Sequence, residues 1–248
     1  MTFTPNRYCL LLSLCTLPIL VCVGLAEAAE SGDPSTAASD TDEGFVSMFN
    51  GRDLSGWEGR PGAWRVEDGA ITGSTNGKPS PATHYLYWKN GQPADFVMRC
   101  KIKLLGGNSG IQFRSEERPN FDTFGYQADF DVEHRYTGAL YQHARGNVVD
   151  RGVRAVYPPS GKPKTERFAA AKSLLEHVND NDWNEYEVTA IGPKITLKIN
   201  GRLMSEVIDH SQKHGRRDGI IALQMHRGPP MTVQFKDLRI KVLAADPE

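Results

Sequence analysis

The sequence predicts an all-β domain, a sandwich of two packed antiparallel sheets. Three observations predict it. Apolar residues recur at a period of two along most of the chain, turns rich in Gly, Asn, Asp and Pro separate those stretches, and helical periodicity is scarce.

The first element in order lies outside that domain. One basic residue, Arg7, precedes an apolar run from Cys9 to Leu25, and small residues follow as far as Ala28. This arrangement predicts a secretory signal over residues 1–28, cleaved near Ala28. A membrane anchor fits less well, because Pro18 breaks the run and no basic stop-transfer flank follows. A lipid-modified Cys22 is a weaker alternative, since Val21 stands where a small residue is expected. Residues 29–43 are small, polar and acidic and read as a disordered spacer. One domain over residues 44–243 remains, with a periplasmic or extracellular location and no stable membrane span after cleavage. The formal charge of −1 provides no basic face for nucleic acid. Three of the four cysteines leave with the signal. The fourth, Cys100, alternates with Phe96, Met98, Ile102 and Leu104 and reads as a buried thiol without a disulfide partner.

Two hairpins are the clearest elements. KITLKI and RLMSEVI flank Asn200-Gly201, a dipeptide suited to a type I′ turn, and AWRVEDGAITG turns at Asp68-Gly69. Further strands are expected at DFVMRCKIKLL, SGIQFRS, YQADFDV, GALYQ, NEYEVTAIG, GIIALQMH and MTVQFKDLRIKVL. GGNSG, residues 106–110, reads as a tight strand connection, because no Lys-Ser/Thr and no helix follow it. ERFAAAKSLLEHV, residues 166–178, is the one predicted helix, with Phe168, Ala171, Leu174 and Leu175 as its apolar stripe. It falls in a long segment before Trp183 that is either a binding lid or a cover over one end of the sandwich.

The candidate site comes from polar residues that obey strand alternation. Gln112 and Arg114 oppose Ile111 and Phe113; Gln127, Asp129, Asp131 and Glu133 share one face; Gln224 and His226 oppose Leu223 and Met225. Amide, carboxylate, guanidinium and imidazole groups suit sugar hydroxyls, each of which both donates and accepts hydrogen bonds. A merely solvated face would favour Lys, Glu and Thr. A carbohydrate is therefore the expected partner. Of the aromatic residues, which also include Trp57, Trp64, Trp88, Tyr85 and Tyr87, Tyr126 and Tyr141 are singled out as stacking surfaces. No His-x-His, HExxH or paired CxxC occurs, so no cofactor is expected; Asp129, Asp131 and Glu133 are the candidate ligands should calcium bind.

On FVSMFNGRDLSGW, WRVEDGAITG, DFVMRCKIKLLGGNSGIQFRS, GYQADF, TGALY, WNEYEVTAIGPKITLKINGRL and GIIALQMHRGPPMTVQFKDLRIK, the chain resembles the 3-keto-disaccharide hydrolase family. These segments run in order through nearly all of residues 45–241. The resemblance implies a concanavalin A-like jelly roll, bacterial export, and hydrolysis of glycosides oxidised at carbon 3. Where many relatives carry an acidic residue, GYQADF carries Gln127; Asp129 keeps a carboxylate on the same face. The implied chemistry is proton abstraction at carbon 2, elimination at carbon 1 and hydration, with His226 or Asp129 as base and Arg114 stabilising the enolate. Gln112, Gln127 and Gln224 would orient hydroxyls. Two other readings stand beside it: a laminarinase-like glucanase using carboxylates of DFDVE, and a noncatalytic carbohydrate-binding module.

Overall fold

The computed structural model describes residues 43–244. The expected signal and nearly all of the spacer lie outside the described residues. The strand alternation read from the sequence builds two sheets. The larger is ten-stranded, in the order β12 (Lys164–Arg167), β11 (Val153–Tyr157), β15 (Arg202–Asp209), β14 (Lys194–Ile199), β13 (Asn184–Ile191), β6 (Phe96–Leu105), β17 (Thr232–Val242), β4 (Ala70–Ser74) and β3 (Trp64–Glu67), with β1 (Val46–Ser47) also beside β17. The smaller is seven-stranded, in the order β10 (Gly146–Val149), β9 (Leu140–Gln142), β8 (Asp122–Asp131), β7 (Asn108–Arg118), β16 (Ile220–Met225), β5 (His84–Trp88) and β2 (Trp57–Gly59).

The inward residues of both sheets meet in one core. Phe96, Met98, Ile102, Val188, Leu197 and Phe235 come from the larger sheet, and Ile111, Phe113, Ala128, Phe130 and Leu223 from the smaller. Cys100 lies among them, and burial pushes its thiol well above the usual range. Both expected hairpins form: Asn200 and Gly201 have φ of 49° and 75°, and Asp68 and Gly69 have 50° and 71°, the left-handed values a type I′ turn requires.

Three features depart from the sequence reading. The segment before Trp183 is neither lid nor plain helix: β11 and β12 extend the larger sheet, and β11 pairs with β15 in parallel, the one parallel pair among the described strands. The predicted helix shrinks to α1 (Ala171–Leu175), because Lys164–Arg167 is claimed by pairing with β11. Lastly, alternation fails within β7. One extra residue is inserted between Gln112 and Ser115 relative to both neighbouring strands, a β-bulge, and Arg114 takes a φ of 44° there. Gly125 on β8 makes room for it, since a Cβ at that position would lie 2.1 Å from Ser115 Oγ.

Candidate functional site

The outer face of the smaller sheet floors a cleft of about 1360 Å³. Strand register explains which residues reach it. Asp129 faces Gly110 across β8 and β7, Gly110 faces Gln224 on β16, and Gln224 faces Tyr85 on β5. Gln127, one pleat along, faces Gln112 and also Tyr141 on β9. Gly110 is required at the crossing of these rows, because a Cβ would lie 2.8 Å from Gln127 Cγ and 2.6 Å from the Ala128 carbonyl oxygen.

These side chains form one hydrogen-bonded floor. Ser115 Oγ donates to Gln112 Oε1 at 2.8 Å, and Gln112 Nε2 donates to Gln127 Oε1 at 2.7 Å. Gln127 Nε2 then donates to Asp129 Oδ1 at 2.5 Å and to Gln224 Oε1 at 3.2 Å. Gln224 Nε2 donates to the Tyr85 hydroxyl at 3.0 Å. Each amide is thereby locked in one orientation, because its oxygen can only accept and its nitrogen can only donate.

Asp129 is 5% exposed. Burial, reinforced by the Asp131 charge and partly offset by the Gln127 hydrogen bond, raises its pKa from 3.8 to about 7. His226 also lines the cleft, and burial lowers its pKa. Its Nδ1 sits 2.5 Å from the Arg227 carbonyl oxygen. A carbonyl only accepts, so Nδ1 carries the proton and the neutral ring presents the lone pair of Nε2.

Asp131 and Glu133 behave differently. Asp131 accepts hydrogen bonds from the backbone N–H groups of Arg135, Tyr136 and Thr137 and from Thr137 Oγ1, all at 2.8–2.9 Å, so its carboxylate staples the loop that follows β8. Arg151 fixes the same loop by donating to the carbonyls of His134 and Thr137. Glu133 lies in that loop, exposed, 3.9 Å from Arg135. Among the described residues no group of three or more His, Cys, Asp or Glu side chains is arranged to hold a metal ion.

The structure thus brings Gln127, Asp129, Tyr141, Gln224 and His226 to one cleft. Gln112 is 0% exposed and supports Gln127 from beneath. Two expected site residues lie elsewhere. Arg114, turned over by the bulge, is fully buried, donates to the carbonyls of Ala94, Gly192 and Arg216, and pairs with Asp95 at 3.1 Å. Tyr126 faces the core, where its hydroxyl donates to Asp209 Oδ2 at 2.5 Å and its ring stacks on Phe113. A guanidinium held by carbonyls inside the sandwich cannot meet an enolate in the cleft.

Sequence reasoning singled out Tyr141 but passed over Tyr85, a floor residue, and the other residues of two walls. On one side Tyr141 packs edge-on against His143, which stacks on Phe124. On the other stand Arg60, His84 and Arg227. The paired β5 register to β16 is the signal that places Tyr85, and it is invisible in HYLYW, where nearly every residue is buried.

Solved structures share this architecture. A "putative glycosyl hydrolase" from Parabacteroides distasonis is 20% identical, with 82% of this chain and 96% of that one covered at a TM-score of 0.55. A Bacillus subtilis protein of unknown function with a galectin-like fold is 11% identical over 78% and 92%, at 0.53. The carbohydrate-binding module CBM66 of Bacillus subtilis is 15% identical over 75% and 95%, at 0.50. At these identities the likeness establishes the jelly-roll fold. No curated protein sequence matches the chain. Among the described residues no helix is long and apolar enough to cross a membrane. Residues 44–241 match the 3-keto-alpha-glucoside-1,2-lyase-like domain, and with that match the chain belongs to that family.

Proposed function

We propose that the protein acts on 3-keto-glycosides, with Asp129 as the base that removes the proton on carbon 2. The supporting observation is a buried carboxyl in the cleft whose pKa, about 7, suits proton transfer near neutrality, held by one side-chain hydrogen bond from Gln127. A ketone at carbon 3 acidifies the carbon 2 proton. When Asp129 takes it, the electron pair moves to oxygen 3 as an enolate. Collapse of the enolate restores the ketone, forms the carbon 1 to carbon 2 double bond and expels the oxygen on carbon 1. That oxygen takes a proton from a water beside His226 Nε2; the hydroxide left behind adds to carbon 1, and Asp129 returns its proton to carbon 2.

Enolate stabilisation passes from Arg114 to Tyr85 in this reading. The Tyr85 hydroxyl accepts from Gln224, lines the cleft and lies beside Thr123 Oγ1, and in this reading its proton turns to the enolate oxygen of the bound substrate. Burial raises the Tyr85 pKa and keeps that proton in place. The glucanase reading requires a second free carboxylate on the strand, and Asp131 is occupied by its loop. Incubation with a 3-keto-glucoside and with its unoxidised parent separates the readings. Cleavage of the oxidised glycoside alone is expected. Cleavage of the parent supports a glucanase, and binding without turnover of either supports a binding module.

A further inference from the structure

The cleft is polarised in a way the proposed chemistry does not use. Asp129, Asp131 and Glu133 lie on the β8 side, where the cleft-lining arginine, Arg135, stands 3.9 Å from Glu133. Arg60, at the end of β2, and Arg227, just after β16, stand at the same end of the sheet on the opposite side. They are neighbours there through β5: the Arg60 charge acts on His84, and the Arg227 N–H donates to Thr83 Oγ1 at 3.2 Å. Several arginines elsewhere have carboxylate partners, among them Arg65 with Glu67, Arg154 with Glu206 and Arg216 with Glu116. Arg60 and Arg227 have none among the described residues, and both are exposed to the cleft.

Two unpaired guanidiniums on one wall match the planar or tetrahedral oxygens of a carboxylate or sulfate. Their distance from the chemistry says where that group sits. From Asp129 on β8 to Arg60 at the end of β2 the sheet spans four strand intervals, roughly 19 Å between backbones, and Arg227 stands between them just after β16. That is more than a single sugar ring. We propose that Arg60 and Arg227 form a subsite for an anionic group, a carboxylate or sulfate, carried on the leaving-group side of the glycoside. The assignment to a leaving group rests on the proposed function; the anion subsite itself does not.

The test uses phenyl, 4-carboxyphenyl and 4-sulfophenyl 3-keto-glucosides with the wild type and with an Arg60→Gln/Arg227→Gln double variant, after thermal unfolding has shown that the variant is folded. Comparing variant with wild type on each substrate cancels differences in leaving-group ability. The expected result is a loss of the anionic-to-phenyl preference in kcat/KM by roughly tenfold or more, with the wild-type preference also falling at high salt. The carboxylate arm and the sulfonate arm, the latter standing in for sulfate, identify which anion is read. An unchanged preference overturns the subsite. If none of the three is turned over, the proposed reaction fails, and calorimetry on the unoxidised phenyl and 4-sulfophenyl glucosides still decides. Tighter binding of the sulfonate that disappears in the double variant supports the subsite, and equal binding overturns it.

Discussion

The outer faces of the two sheets obey the same alternation and end in opposite conditions. On the larger sheet, β6 alternates buried apolar residues with half-exposed Val97, Arg99, Lys101 and Lys103, and β14 sets Thr196 and Lys198 outward in the same way. On the smaller sheet, β16 is buried throughout and β8 is buried from Gly125 to Asp131, although Gln127, Asp129 and Gln224 point away from the core. A charged face that remains in water costs little to fold. A polar face that is buried must find partners for its groups, and Gln112, Gln127, Asp129 and Gln224 do so through a continuous chain of amides ending on a carboxyl. Burial of polar groups, more than their presence, distinguishes the candidate face.

Substitutions on the two faces should therefore differ sharply. The largest effect is expected for Asp129→Asn, which keeps an acceptor for Gln127 and removes the base: turnover of a 3-keto-glucoside should fall at least about a hundredfold. Stability should move the other way. A carboxyl whose folded pKa is raised to about 7 contributes its full stability below pH 4 and loses it as pH rises through 7. At pH 8 the asparagine variant should then be more stable than wild type by about 1–3 kcal/mol in denaturant unfolding, whereas at pH 4 the two should nearly coincide.

Tyr85→Phe removes one donor and keeps the ring, so kcat should fall by roughly tenfold to a hundredfold with KM little changed; an unaltered kcat would remove Tyr85 from the mechanism. Arg114→Ala tests the correction made by the bulge. It strips a buried ion pair of its cation and leaves three carbonyls without their donor, so it should destabilise the domain by about 3–5 kcal/mol. Normal stability with lost activity would return Arg114 to the site. At the small end, Lys101→Ala breaks an exposed pair with Asp237 on the larger sheet and should change stability by less than about 1 kcal/mol and turnover not at all.

Legibility in the sequence followed local order. The β14–β15 hairpin and β6 were readable because alternation and the Asn200-Gly201 turn are written in consecutive residues. Gln127, Asp129 and Gln224 were readable for the same reason. Tyr126 sits next to Gln127, so alternation alone already turned it towards the core. Arg114 was unreadable, since the bulge depends on Gly125 and on register with β8 and β16, far away in sequence. Strand β12 was hidden as well: all four residues of KTER are exposed, and only pairing with β11 makes them a strand.

Proton exchange at carbon 2 tests the central claim most directly. A 3-keto-glucose held in deuterium oxide with the wild-type protein should exchange its carbon 2 proton, as read by NMR, at a rate that rises with pH and levels off above about 7. Asp129→Asn should leave only the buffer rate. Exchange at the wild-type rate in that variant would contradict Asp129 as the base.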